Sequence, residues 1–423
     1  MQPVAWQERK AGKLKTFHEL YLDILQQEAK AGRHVLRDYN PYHMDCLLHP
    51  ENHAPVIHTE QCEECAYEQA CVKSCVFDAI EKGEDGSIHI SPEKCAGCGG
   101  CIDACKMERL AANKDVYPVL SALRSGERDV YALIAPAFTG QFGPQATPGR
   151  LRSACKALGF KGMVEVAVFA DILTLKEALE FDTHVNTTQD FQLTSCCCPV
   201  WIAMIRNIYQ ELMPHVPGAV SPMIAAGRVV KKLHPDAMTV FIGPCMAKKK
   251  EAREPDIADA IDYVLTFQEV KDIFEAAEIR PGELTDEASE HSSRAGRIYA
   301  RTGGVSEAVT KTVEQLRPDR AIFVHAEQAD GVKNCKAMIE RIRSGETDAN
   351  FFEGMACMGG CVGGPKALVD RETGKQEVDA YGEQAAFRTP LENPYVMELL
   401  SRLHFKTIED FLEKSDIFTR DFS

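Results

Sequence analysis

Thr194-Ser195-Cys196-Cys197-Cys198-Pro199-Val200-Trp201 sets the terms for the rest of the chain. Three consecutive cysteines cannot all point into one core. A chain with no sign of secretion would not keep them for disulfides, so they read as metal–thiolate chemistry. Two further stretches join them: Gly243-Pro244-Cys245-Met246-Ala247-Lys248 with Glu251, and Glu353-Gly354-Met355-Ala356-Cys357-Met358-Gly359-Gly360-Cys361. Together the three stretches can supply four thiolates to one cluster.

The chain has 423 residues, 45% of them hydrophobic, enough for a large core divided over two or three domains. No apolar run reaches the roughly 18 residues a membrane helix needs. The stretch Met1-Gln2-Pro3-Val4-Ala5-Trp6 carries no apolar signal region or twin arginine, so the expectation is a cytoplasmic protein without membrane attachment. A net charge of -15 argues against a nucleic-acid partner, which needs clustered Lys and Arg to release counterions. Seventeen cysteines in such a chain point to iron–sulfur clusters.

Eight of those cysteines form two runs. Cys62-x2-Cys65-x5-Cys71-x3-Cys75 is followed by Cys95-x2-Cys98-x2-Cys101-x3-Cys105, the pattern of a two-cluster ferredoxin over residues 58–112. In such a unit each cluster takes three ligands from one run and its fourth from the other. One [4Fe–4S] cluster would use Cys62, Cys65, Cys71 and Cys105, and the other Cys95, Cys98, Cys101 and Cys75. Their role is a one-electron relay between a surface partner and a buried site. A zinc ribbon is the competing reading, but eight cysteines exceed what one zinc requires.

Residues 1–57 precede this unit. Within 13–31 the apolar residues Leu14, Phe17, Leu20, Tyr21, Ile24 and Leu25 recur at three- and four-residue spacing, predicting an amphipathic helix that packs against another domain. His43, Cys46, His49, His53 and His58 then crowd together. They read either as a mononuclear metal site or as a Pro-punctuated loop with surface and capping histidines, and the spacing favours the loop.

From residue 128 to 423 short β-branched runs alternate with helical patterns, which predicts an α/β domain of mixed or parallel sheets covered by helices. Strands are expected at 130–135, 163–169, 238–242, 321–324 and 351–355, and helices at 171–180, 267–277 and 331–343. Each cysteine signature follows a strand or lies at a strand-to-helix turn, where α/β folds build sites.

At its three signatures the chain resembles the [FeFe]-hydrogenase family, whose patterns read Thr-Ser-Cys-Cys-Pro-x-Trp, Met-Pro-Cys-x-x-Lys-x-x-Glu and Glu-x-Met-x-Cys-x-x-Gly-Cys, in that order. The resemblance implies two α/β lobes with the active-site cluster between them. It makes Cys198, Cys245, Cys357 and Cys361 the ligands of a [4Fe–4S] cubane, with Cys361 bridging to a two-iron unit that carries CO, cyanide and a dithiolate amine. It gives Lys248 a hydrogen bond to cyanide, Pro136 and Ala137 a backbone wall of the cyanide pocket, and Met355 a place in the apolar cage. Cys197 matches the last proton relay, and Glu177 and Glu180 the next carboxylates; otherwise these two are a solvated helix face.

The implied activity is reversible reduction of protons to H2, with electrons from a ferredoxin-like carrier and maturation proteins to supply the two-iron unit. The extra cysteine leaves a second register, with Cys197 as ligand and Cys196 as relay; the spacing of Cys198-Pro199-x-Trp201 favours Cys198. Gly243, Met223 and Pro217 depart from the family's Met, Gln and relay Ser, as in the divergent subgroup with a Thr-Ser-Cys-Cys-Cys-Pro signature. A hydrogen or redox sensor, and a non-catalytic iron–sulfur electron-transfer or assembly protein, are the competing functions. Thr302-Gly303-Gly304-Val305 reads as close backbone packing near the cluster, since it lacks the context of a phosphate loop.

Overall fold

The computed structural model describes residues 14–29, 37–60, 62, 65, 70–83, 87–194, 197–287, 289–413 and 416–422. Near the N-terminus the helix Phe17–Ala29 buries Phe17, Leu20, Tyr21, Ile24 and Leu25. That stripe packs on the helices Val116–Ser125 and Phe267–Ala276. The Tyr21 hydroxyl donates to Asp272 at 2.9 Å, and Lys114 Nζ stands 4.6 Å from the Tyr21 ring centre, so polar groups fix the register of the apolar contact.

The cysteine-rich unit is built from two antiparallel pairs. β1 (Val56–His58) pairs with β4 (Leu110–Ala112), and β2 (Ile80–Lys82) with β3 (Ile88–Ile90). Two five-residue helices, Ala70–Ser74 and Gly100–Ala104, carry Cys71 and Cys101 into its interior.

The larger part is α/β, with two parallel sheets. The first uses β5 (Val130–Ile134), β6 (Gly162–Glu165), β8 (Met238–Gly243) and β9 (Tyr263–Thr266) in the order β6-β5-β8-β9; the second uses β7 (Gln192–Leu193), β10 (Ala326–Asp330) and β11 (Phe351–Met355) in the order β10-β11-β7. From β5 the chain runs outward to β6 on one side and later to β8 and β9 on the other. The carboxyl ends of β5 and β8 therefore border the crevice where an open α/β sheet binds its ligands.

Between the lobes lies the helix Ala167–His184, buried without interruption from Ala167 to Phe181. It packs on the helices Gly304–Leu316, Pro222–Leu233 and Arg294–Arg297. Asp171 fastens it: its carboxylate accepts from Ser293 N at 2.6 Å, Gly296 N at 2.8 Å and Asn393 Nδ2 at 3.1 Å.

Two expected strands are corrected. The run 163–169 divides: β6 ends at Glu165, and Val168 and Phe169 open the buried helix, because a helix covered on every side has no amphipathic period to announce it. The run 321–324 is irregular. Asn350 donates Nδ2 to Phe323 O at 2.9 Å and accepts from His325 N at 2.7 Å, occupying backbone groups a ladder would use, and β10 begins only at Ala326. That strand, Ala-Glu-Gln-Ala-Asp, has no β-branched residue; it sits at the edge of its sheet, where polar residues are tolerated.

A glycine sets the closest approach inside the second lobe. A Cβ at Gly354 in β11 would stand 2.2 Å from the Trp201 ring, which is 1% exposed. Gly354→Ala is therefore expected to cost about 1–3 kcal/mol by overpacking, seen as a lower urea midpoint with an unchanged slope.

Candidate active site

The three signatures leave the carboxyl ends of β7, β8 and β11, three parallel strands in two lobes. After β7, Thr194 N still bonds Phe352 O at 2.9 Å, and Cys198 caps the helix Pro199–Ile208, whose first position suits proline. Trp201 Nε1 donates back to Thr194 O at 3.4 Å, bracing the cysteine turn. After β8, Cys245 precedes the helix Ala247–Glu251, and after β11 the chain turns through Gly359 and Gly360 to Cys361. Ala356 N donates to Cys198 Sγ at 3.4 Å, tying the first signature to the third.

Cys198, Cys245, Cys357 and Cys361 are close enough to act on one another's charge. Burial, and then Cys198, pushes Cys245 up to about 11; burial, and then Cys245, pushes Cys361 up to about 12. Burial raises Cys357 as well, with Cys245, Cys198 and Cys361 adding to it. The four side chains are half-buried, and Cys245, Cys357 and Cys361 oppose one another's ionisation, so they need a compensating cation to exist as thiolates, and an iron–sulfur cluster supplies one. The donor set therefore fits a cubane.

Beside them is a largely apolar cavity walled by Pro136, Ala137, Cys197, Cys245, Lys248 and Cys361, with Ala170, Met223, Phe241 and Tyr299 among its other walls. Pro136 and Ala137 belong to a short turn at the end of β5. Cys245 and Cys361 border this cavity, whereas Cys198 and Cys357 do not. Lys248 is buried and donates to Glu251 at 2.6 Å. Burial works against its charge, but Glu251, then Cys245 and Cys197, outweigh it and raise its pKa above the usual lysine value. A buried ammonium whose charge is supported by Glu251, on an apolar cavity, is suited to an anionic ligand. Met355 is buried and lies outside the cavity wall; a Cβ on Gly360 would meet its Sδ at 2.8 Å.

Glu177 and Glu180 are 4% and 7% exposed, which excludes the solvated face as their setting. Ala170, Thr174 and Glu177 follow one another at four and three residues, so one helix face runs from the cavity wall to the carboxylates. Pro217 lies just beyond the turn Gln210–His215. Ser195 and Cys196 fall outside the described residues, so the alternative register is not located.

Cys62, Cys65, Cys71 and Cys105 surround one small pocket, and burial followed by Cys105, Cys65 and Cys62 raises Cys71. Cys101 feels Cys95, Cys98 and Cys75, the second group of four. That group approaches the active site: a Cβ on Gly97, which has φ +70°, would stand 2.9 Å from Ala247 Cα, and Cys98 adds to the charge felt by Cys357. Lys250 Nζ to Pro92 O at 3.0 Å and Arg253 to His53 O at 3.1 Å close the same contact.

The N-terminal histidines lie on more structure than a loop. His43 and Cys46 are buried on the helix Pro41–Leu48, and His53 Nε2 lies 2.7 Å from Asp45 Oδ2. Among the described residues no three His, Cys, Asp or Glu side chains converge on a single-ion site. Cys46, Cys155 and Cys335 are buried free thiols. Sequence reasoning missed Tyr299 on the cavity wall, the buried Lys176, and Lys249, which Asp115 and Glu269 hold at 3.2 Å each. Lys176 had a signal: one lysine in an apolar run, four residues before Glu180.

Residues 128–365 match the family described as iron only hydrogenase large subunit, C-terminal domain. The chain belongs to this hydrogenase family. It is 25% identical over 415 residues to the NADP-reducing hydrogenase subunit HndD of Solidesulfovibrio fructosivorans, covering 82% of this chain and 71% of that one. It is also 25% identical over 377 residues to cytosolic iron-sulfur assembly component 3 of Pongo abelii, covering 73% and 79%. A solved variant of the [FeFe]-hydrogenase HydA1 from Chlamydomonas reinhardtii shares the fold, with a TM-score of 0.59, 22% identity, and 73% and 98% of the two chains covered. This family member thus has hydrogenases and an assembly protein among its relatives. No helix among its described residues is long and apolar enough to cross a membrane.

Proposed function

We propose that the chain interconverts protons, electrons and H2. Cys198, Cys245, Cys357 and Cys361 would hold a [4Fe–4S] cubane, Cys361 would be shared with a two-iron unit, and the bound unit supplies the metal at which H2 is made or split. The observation that carries this reading is the cavity beside the four thiols, where Lys248, Cys197, Pro136 and Ala137 meet. A cubane alone needs neither a buried ammonium nor a thiol facing it.

In this reading the protein's own groups have separate tasks. Lys248, held by Glu251, presents N–H donors to an anionic ligand, and the apolar wall excludes water. Cys197 gives and takes a proton at its Sγ, and Glu177 and Glu180 continue that line along the helix Ala167–His184. Cys62, Cys65, Cys71 and Cys105 would hold the outer [4Fe–4S] cluster, and Cys75, Cys95, Cys98 and Cys101 the inner one beside Ala247. A small ferredoxin-like carrier would serve the outer cluster, and maturation proteins would supply the two-iron unit.

A non-catalytic iron–sulfur role is the second reading, favoured by the likeness to the assembly component. The deciding measurement is an infrared spectrum of the full chain after reconstitution with iron, sulfide and a synthetic two-iron complex. CO and CN bands that shift under H2 are expected. No such bands, with iron enough only for the [4Fe–4S] clusters, would establish the second reading.

A further inference from the structure

The helix Ala167–His184 is apolar on nearly every side, so each charged residue in its buried part needs a reason to be there. Lys176 is 1% exposed. Its Nζ donates to Glu180 Oε1 at 2.8 Å and to Leu412 O at 3.0 Å. The second Glu180 oxygen is buried and has no hydrogen-bond partner among the described residues. Burial raises the Glu180 carboxyl above the usual carboxylate range, against the pull of Lys176 and of His184, whose Nδ1 lies 2.9 Å from Glu180 O.

Outward from this pair, polar groups of the C-terminal segment meet Lys176. Thr419, half-buried, donates Oγ1 to Leu412 O at 3.5 Å, the same carbonyl that Lys176 uses. The C-terminal segment reaches that place by pairing Thr419 with Ala219, and Val220 N donates to Phe418 O at 3.1 Å. It thereby lies beside Pro217, which has neither a hydroxyl nor an N–H to offer a proton path.

We infer that Lys176 relays protons through Glu180, between the interior carboxylates and water at a mouth formed by Leu412 and Thr419. The inference rests on the hydrogenase reading above. In the inward step an N–H bond of Lys176 breaks as an O–H bond forms on Glu180, leaving an amine beside a carboxylic acid. Glu180 passes that proton inward to the next carboxylate, a hydronium ion at the mouth returns a proton to the amine and leaves as water, and H2 oxidation runs the same steps backwards. A buried site narrows the gap between the ion pair and the neutral pair, because desolvation penalises charged groups far more than neutral ones. Lysine can lose its proton and rotate between partners; arginine keeps its charge and cannot.

Lys176→Arg and Lys176→Met separate relay from pairing. Without the two-iron unit, Lys176→Met at neutral pH should show a protonated-carboxyl band in the infrared that is absent from wild type, from Lys176→Arg and from Lys176→Met combined with Glu180→Gln. In the loaded protein both single variants should lose turnover by about 100-fold, with iron content and CO and CN bands unchanged and an altered pH profile. Wild-type turnover and pH profile in Lys176→Arg would overturn the relay while leaving the hydrogenase reading intact. A missing carboxyl band in Lys176→Met would overturn the coupling to Glu180. Absence of H2 turnover in loaded wild type would overturn both readings together.

Discussion

Cys197→Ala is expected to abolish nearly all H2 evolution while leaving iron content and the CO and CN bands in place. The Cys197 thiol is part of the cavity wall, where Lys248 also senses its charge. On the other side the helix face through Ala170, Thr174 and Glu177 leads away toward the carboxylates. Removing one proton-transfer group from such a line forfeits about 10²–10⁴-fold in rate, and alanine creates little space in a cavity already open. Turnover assays with a chemical reductant, on protein loaded with the two-iron complex, read the effect directly. Near-wild-type evolution would transfer the relay to Cys196 and shift the register of the first signature by one residue.

Cys361→Ala should give a different failure. Two of the four thiols, Cys245 and Cys361, border the cavity, so either is placed to link the proposed two-iron unit to the cubane. The resemblance assigns the link to Cys361. In the proposed reading its loss would remove the thiolate bond to the two-iron unit, and only Lys248 and the apolar wall would be left to hold that unit. The expected spectrum has no CO or CN bands after reconstitution, and the expected activity is nil. Bands retained in this variant would move the bridge to Cys245. The two variants are thus distinguished by spectroscopy: Cys197→Ala keeps the bands and loses the rate, and Cys361→Ala loses both.

The relay reading of Lys176 connects to these variants without depending on their outcome at the cavity. Cys197 faces Ala170 across the cavity, and Lys176 lies farther along the same helix, Ala167–His184, beside Glu180. A rate lost at either residue with unchanged CO and CN bands separates proton supply from cofactor retention.

The order and spacing of the cysteines, together with alternating apolar runs, were enough to place the chain in its family and in the α/β class. Metal–thiolate chemistry requires fixed residue types at fixed separations, so it is written locally; β5 and β8 were legible as short apolar runs rich in β-branched and aromatic residues, and β11 from its opening Phe351-Phe352 pair. What lies between those runs was decided by packing. The strand at Ala326–Asp330 exists because β11 offers it a parallel edge, and its own residues give no strand signal. The burial of Glu177, Glu180 and Lys176 follows from both lobes closing on one helix, a fact that no periodicity within the helix records. The meeting of β7, β8 and β11 at their carboxyl ends is likewise tertiary. Sequence names the ligands of a cluster, whereas the distances among them, the cavity beside them and the charges facing it arise only when segments more than a hundred residues apart are brought into contact.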